Sequence, residues 1–132
     1  MKTSTKARYS LRLMTDIAKY GGKGPVPLAE VSRRQGISMK YLEQLAKSLT
    51  EAGCVTSVRG SQGGYRLARP APEITAGEVI RAAEGDFLPV ACLAEEECPL
   101  QADCTTSRFW GGLRKAIDNY VDGISIAELA EA

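Results

Sequence analysis

The chain has 132 residues, no histidine, and 17 lysines and arginines against 16 aspartates and glutamates, which gives a formal net charge of +1. Without histidine, the chain has no Ser–His–Asp or Cys–His catalytic unit and no zinc site that needs an imidazole ligand. No apolar run approaches the ~18 residues of a membrane helix. We therefore expect a cytoplasmic, single-domain protein that is not an enzyme, has no small-molecule substrate or membrane partner, and has no structural disulfides.

The net charge conceals two oppositely charged halves. Residues 1–70 contain 13 basic and 4 acidic residues, a net charge of +9, whereas residues 71–132 contain 4 basic and 12 acidic residues, a net charge of −8. A basic half attracts polyanions, because each phosphate that it neutralises releases counterions. The alternative is that both charge blocks are solvated faces.

The first fifty residues predict three helices. The first ends at Gly21 and has an apolar face made of Tyr9, Leu13, Met14, Ile17 and Ala18. A short second helix carries Leu28 and Val31 and stops at Gly36. Ser38 is placed to cap the third, whose apolar stripe is Leu42, Leu45, Ala46 and Leu49. This order is typical of a helix-turn-helix, although two short helices around a glycine turn are common in α-proteins.

In a helix-turn-helix, the N-terminal residues of the second helix reach base edges in the major groove. Their hydroxyl, amide and ammonium groups suit phosphates and base edges, which makes Ser38, Met39, Lys40, Tyr41 and Gln44 candidate DNA contacts. Two short strand candidates follow at 54–59 and 64–69, joined by a turn with three glycines. A hairpin in this place is a wing, flanked or tipped by Arg59, Gln62 and Arg66.

The segment after the wing predicts a short helix from Thr75 to Glu84, opened by a capping box between Thr75 and Glu78. Its apolar positions are Val79, Ile80 and Ala83, and Gly85 stops it. Further along, Thr105 or Thr106 is placed to cap a long helix that runs to about Asp122. Its apolar stripe suits a helix–helix dimer better than an intramolecular core, and the predicted interface residues are Phe109, Trp110, Leu113, Ile117, Tyr120 and Val121.

Three of the four cysteines are evenly spaced in a polar segment. Cys92, Cys98 and Cys104 are separated by five residues each, whereas Cys54 stands alone and is expected to be a small buried apolar side chain. Thiolates select iron–sulfur clusters, zinc or copper(I). A fourth ligand is open, because no histidine can supply it. The candidates are Glu95, Glu96, Glu97, Asp103, Ser107, Asp16 of a partner subunit, a small-molecule thiol or water.

The chain resembles the winged-helix iron–sulfur regulators that include IscR and NsrR. The resemblance covers nearly the whole chain and rests on KARYSLRLMTDIA, ISMKYLEQLAKSLTEAGCVTSVRGSQGGYRLARP, ITAGEVIRAAEG and the three spaced cysteines. It implies a homodimeric transcription factor with a [2Fe–2S] or [4Fe–4S] cluster on Cys92, Cys98 and Cys104. It also implies DNA contacts by the recognition helix and the wing, at Ser38, Met39, Lys40, Tyr41, Glu43, Gln44, Arg59, Gly60, Gly63, Gly64 and Tyr65.

The chain departs from this family at the fourth cluster ligand. The IscR type places a histidine three residues beyond the third cysteine, where this chain has Ser107, and the NsrR type borrows an aspartate from the partner near Arg8. We predict a mainly α-helical fold with a β-hairpin. It has a winged helix-turn-helix domain at 1–85, a cysteine-bearing loop at 86–104, and a dimerisation helix followed by a short helix at 105–132.

In the predicted mechanism, cluster ligation orders the cysteine-bearing loop and so sets the tilt of two recognition helices. A cluster-free regulator that responds to thiol redox state or zinc is one alternative. A small iron–sulfur electron-transfer protein is another, which would have no use for a basic N-terminal half.

Overall fold

The structure, a computed structural model, describes residues 4–89 and 104–132. Within these ranges six α-helices accompany one two-stranded antiparallel sheet, which confirms the predicted fold class. The elements in chain order are α1 Thr5–Tyr20, α2 Leu28–Gln35, α3 Met39–Glu51, β1 Val55–Val58, β2 Gly64–Leu67, α4 Ala76–Glu84, α5 Ser107–Asp122 and α6 Ile126–Glu131. No helix in the described ranges is both long and apolar enough to span a bilayer.

Helix α1 lies at the centre of the core. Leu13, Met14 and Ile17 of its predicted apolar face are buried, while Tyr9 and Ala18 are half-buried at the edge of the core. Helices α2, α3, α4 and α6 and the hairpin pack around α1. The predicted stripe of α3 is also buried, and the core it forms with α1 contains Leu42, Leu45, Ala46, Leu49, Val55, Ile74 and Val79. The Cys54 side chain lies in the same core, as expected for a lone cysteine before a strand.

The two capping boxes differ. At the start of α4, the Thr75 hydroxyl accepts a hydrogen bond from the Glu78 backbone N–H, but the Glu78 carboxylate pairs with Arg69 instead of turning back to Thr75. The predicted box at Thr75 is therefore only half formed. Ser125 and Glu128 form both bonds of a box at the start of α6. The arginine is the reason for the difference, because it offers Glu78 a charge-assisted partner.

Helix α6 packs the end of the chain against the core formed by α1 and α3. Ile126 is fully buried there, and its backbone N–H donates to the Ile74 carbonyl at 2.8 Å. The Ala76 N–H donates to the Ile124 carbonyl at 2.8 Å, so the residues before α6 pair with those before α4. Helix α5 is different, because none of its side chains is fully buried in this chain.

Candidate nucleic-acid interface

Helix α3, the predicted recognition helix, begins with a cap that leaves its first turn exposed. Gly36 adopts a left-handed conformation (φ 68°) that ends α2. The Ser38 hydroxyl accepts the Tyr41 backbone N–H at 3.2 Å, which satisfies one of the unpaired donors at the start of α3. Because Leu42 and Leu45 turn into the core, the opposite face is exposed, and it consists of Ser38, Met39, Lys40, Glu43 and Gln44.

Tyr41, a predicted DNA contact, is half-buried against α1. Its ring meets the Tyr9 ring edge-on with centroids 5.8 Å apart, and the guanidinium carbons of Arg8 and Arg12 lie 5.9 and 5.3 Å from the Tyr9 centroid. Aromatic pairs and cations over rings are mutually favourable contacts. Sequence reasoning placed Tyr9 in the core and gave Arg12 no role, so it missed that two arginines of α1 adjoin the start of α3.

Asp16 holds the end of α2 against α1. Its carboxylate has no exposed surface and accepts bonds from Arg34 Nε at 3.0 Å, Arg34 Nη2 at 2.7 Å and Gln35 Nε2 at 3.0 Å. Gln35 is in turn bonded by Arg12, whose Nη2 donates to the Gln35 carbonyl at 2.6 Å. Because the Asp16 carboxylate is buried and fully engaged, we discard the expectation that it supplies a fourth ligand to a partner subunit.

The wing is held by an additional backbone pairing. Val55–Val58 pairs with Gly64–Leu67, and Val26 before α2 exchanges two hydrogen bonds with Tyr65, at 2.8 and 2.9 Å. A Cβ on Gly64 would collide with the Val26 carbonyl and lie 2.7 Å from the Pro27 nitrogen. Gly64 thus has a packing role inside the chain, besides the predicted approach to DNA.

The tip of the wing carries the remaining predicted contacts. Arg59, Gly60 and Gln62 are exposed, and Gly60 has a φ of 110° with open space where a Cβ would be. Gly63 is closed in, since a Cβ there would lie 2.9 Å from the Gly60 carbonyl oxygen. Arg66 on β2 is exposed as well. The hairpin therefore carries two exposed basic side chains, Arg59 and Arg66.

Of the three spaced cysteines, the structure describes only Cys104, while Cys92 and Cys98 lie outside the described residues. The Cys104 thiol is half-exposed, and its Sγ lies 3.5 Å from the Thr106 hydroxyl. That hydrogen bond, with backbone bonds from Thr106 and Ser107, lowers the thiol pKa below its ordinary value. Burial raises the pKa of Cys54. By the chemistry of the donors, Cys104 suits a thiolate ligand and Cys54 does not.

The start of α5 is built around the same cysteine. Thr106 occupies the N-cap position, but its side chain makes no capping bond, contrary to the prediction for Thr105 or Thr106. The Ser107 hydroxyl donates to the Cys104 carbonyl at 3.2 Å instead. A ligand bound to the Cys104 thiol would therefore lie next to the first turn of α5, which is hydrogen-bonded to the same residue.

Helix α5 exposes most of its predicted interface. Phe109 is 63% exposed, Leu113 37% and Tyr120 70%, and these three recur on one side of the helix. Trp110 meets Phe109 edge-on with ring centroids 4.9 Å apart, and both Trp110 and Ile117 are half-buried. Val121 belongs to a small apolar cluster with Ala7, Ile80 and Ala83. Among the predicted residues, Val121 therefore serves intramolecular packing in this chain.

A capped recognition helix, a wing paired with the segment before α2, and a basic N-terminal half define a winged helix-turn-helix, a DNA-binding transcription regulator. The profile of the Rrf2 family, described as an iron-dependent transcriptional regulator, matches residues 3–132. The chain belongs to the Rrf2 family.

The individual relatives agree with this assignment. The chain is 45% identical over 129 residues to the HTH-type transcriptional regulator IscR of Aliivibrio salmonicida, covering 98% of this chain and 77% of that protein. It is 42% identical over 130 residues to protein rrf2 of Nitratidesulfovibrio vulgaris, covering 98% and 87%. Among solved structures it is similar to CymR, the global cysteine regulator of B. subtilis (TM-score 0.82, 39% identity, coverage 99% and 97%). It is also similar to IscR of T. potens (TM-score 0.80, 38% identity, coverage 99% and 87%).

These similarities confirm the resemblance to IscR-type regulators and the expectation that the chain is not an enzyme, since the relatives are named as regulators.

Proposed function

We propose that the protein is a homodimeric regulator whose operator binding is switched by an iron–sulfur cluster held by Cys92, Cys98 and Cys104. The observation that carries the DNA-binding part is the open face of α3 beside an exposed basic wing. The cluster part is supported by the three evenly spaced thiols, by the lowered pKa of Cys104, and by similarity to proteins named IscR. A bound cluster would supply a charged, redox-sensitive crosslink between the thiolates.

Contacts at the two ends of the cysteine-bearing loop explain how such a crosslink would affect DNA binding. Cys104 is three residues before α5, and its carbonyl accepts the Ser107 hydroxyl. Asp86, at the other end of the cysteine-bearing loop, lies with its Oδ2 3.7 Å from Arg114 of α5. Both ends of the loop therefore adjoin α5, so tying the cysteines together alters how α5 is held and, through the dimer, how the two recognition helices are placed.

The homodimer is supported by the exposed side of α5. Burying a Phe or Leu side chain is worth about 1.5–3 kcal/mol, and a second copy of α5 offers the matching apolar surface. We expect Leu113→Glu to shift the protein to a monomer in sedimentation at micromolar concentrations. Lys115→Glu, an exposed change on another side of the same helix, is the control and should remain dimeric. A wild-type monomer across that range would refute the homodimer.

The DNA contacts are tested with a duplex selected from a random library. Lys40→Ala and Gln44→Ala should each weaken binding about 5- to 100-fold. Lys115→Ala, an exposed lysine of α5 outside this face, is the matched control and should change the affinity little. If Lys40 meets a phosphate, its variant also lowers the slope of log affinity against log salt by about 1. Unchanged affinity in both α3 variants would contradict the assignment of this face.

The cluster is tested by anaerobic purification, with iron and sulfide analysis and absorption spectroscopy. We expect iron and sulfide in the wild type and in Cys54→Ala, and neither in the triple variant Cys92→Ala/Cys98→Ala/Cys104→Ala. Cluster-bound and cluster-free protein should then differ in affinity for the selected duplex. Equal binding by these two forms and the triple variant would refute the switch.

A cluster-free thiol or zinc regulator is the second candidate. It is favoured by similarity to structures described as the global cysteine regulator CymR and as an oxidized form of CymR. The same purification separates the candidates, because this regulator would lack sulfide and still lose its response in the triple cysteine variant. The electron-transfer alternative finds no support among these relatives, which are named as regulators.

A further inference from the structure

Helices α4 and α5 meet at a tightly packed joint, formed by Gly77 and Arg81 of α4 with Asp118, Val121 and Asp122 of α5. Gly77 has no room for a side chain, because a Cβ there would collide with the Asp122 carboxylate and lie 3.0 Å from Val121 Cγ2. Val121 packs toward Ile80 in the small apolar cluster. The glycine therefore lets the end of α5 approach the first turn of α4 closely.

Arg81 joins the two helices by directional bonds. Its Nη1 and Nη2 donate to both oxygens of Asp122 at 2.7 and 2.9 Å, and Nη2 also donates to Asp118 at 3.0 Å. These bonds keep the pKa of the Asp122 carboxyl below its ordinary value. A bidentate guanidinium–carboxylate pair fixes an angle as well as a distance, whereas apolar packing such as that of Val121 allows the helices to swivel.

The angle at this joint determines where the other end of α5 lies. A 16-residue helix is about 24 Å long, so a swing of ~10° at the Asp122 end moves the Ser107 end by about 4 Å. That displacement is close to the ~3.4 Å rise of one base pair. The exposed apolar side chains that would contact a second copy lie along α5. The same swing therefore changes the distance and the angle between the recognition helices of the two copies.

We propose that Arg81 is a positioning residue that fixes the spacing between two operator half-sites. It acts through its bonds to Asp118 and Asp122, at the point where Gly77 lets α5 approach α4 closely. This inference rests on the proposed homodimer. It assigns the Arg81 side chain a role in DNA selection although it lies on neither the recognition helix nor the wing.

The test compares Arg81→Gln with wild type on duplexes carrying two selected half-sites at spacings that differ by single base pairs. Wild type should prefer its best spacing over neighbouring ones by about tenfold, and the variant by less than about threefold. Affinity for one half-site and the dimer dissociation constant should change by less than about twofold. The joint includes neither the recognition helix nor the exposed apolar side of α5. Arg81→Lys, which keeps the charge and loses the bidentate geometry, should fall between. Lys115→Gln removes one positive charge from α5 outside the joint and should match wild type.

The outcomes separate this inference from the proposed function. A sharp spacing optimum that persists in Arg81→Gln refutes the positioning role and leaves the dimer intact. A wild type that is monomeric or has no spacing optimum overturns both. Should Arg81→Gln fail to fold, as judged by circular dichroism, the comparison of Arg81→Lys with wild type decides, and equal spacing selectivity there refutes the role.

Discussion

Breaking the buried pair of Asp16 and Arg34 should cost far more than removing both partners. Arg34→Met leaves a carboxylate with no exposed surface and only the Gln35 amide as a donor. Breaking a buried pair from one side costs about 3–5 kcal/mol. Because the Arg34 side chain is 21% exposed and partly wet, we expect the lower end, about 3 kcal/mol. For a domain of this size, that lowers Tm by roughly 10–15 °C.

The double variant Asp16→Leu/Arg34→Met removes the charge together with its partner, and its stability should lie within about 2 kcal/mol of wild type. The assay is urea unfolding followed by circular dichroism at pH 7 and one fixed protein concentration, since dimerisation adds to apparent stability. Arg33→Met is the matched control on the exposed side of α2 and should change little. If Arg34→Met loses less than about 1 kcal/mol, or the double variant loses the sum of the single ones, the buried-pair reasoning is wrong.

Three further predictions follow from local geometry. Ser38→Asp should keep the cap and the stability of α3 but weaken operator binding by repelling phosphate, whereas Ser38→Ala should lose about 1 kcal/mol in thermal unfolding. Gly64→Ala should destabilise the wing by about 1–3 kcal/mol because its Cβ meets Val26, and Gly22→Ala, with open space at its Cβ, is the control in the same unfolding assay. Because Arg81 depresses the pKa of Asp122 below 3.8 in the folded state, their pair stabilises fully above that value and loses its contribution as pH falls through the folded pKa. Acid unfolding of Arg81→Gln should show less of this loss than wild type, and identical acid profiles would contradict it.

Local features of the fold could be predicted from sequence because neighbouring residues determine them. The stripe from Leu42 to Leu49 and the cap at Ser38 depend on helical spacing and on one hydroxyl, and both are found. The end of α5 at Asp122 likewise follows from Gly123. The half-formed capping box at Thr75 was not predictable in this way, because Glu78 pairs with Arg69, nine residues earlier in the chain.

Long-range polar pairs were not predictable, because no local period joins them. Arg81 and Asp122 are separated by 41 positions, and Asp16 and Arg34 by 18. The glycines of the wing illustrate a related difficulty. A sequence shows that Gly64 is permissive, but only the fold shows that Val26 occupies the space where a side chain would stand.

The same pairs change the meaning of the charge count. The 13 basic residues of the first 70 include Arg34 and Arg69. Arg34 is paired with Asp16, which the +9 already counts, whereas Arg69 is paired with Glu78 of the acidic half. A guanidinium held by a carboxylate releases no counterion from DNA, so a salt titration of operator binding reports only the cations left to face phosphate. The acidic second half is thus partly structural, because its carboxylates fix the ends of the wing and of α5 instead of simply opposing the basic half.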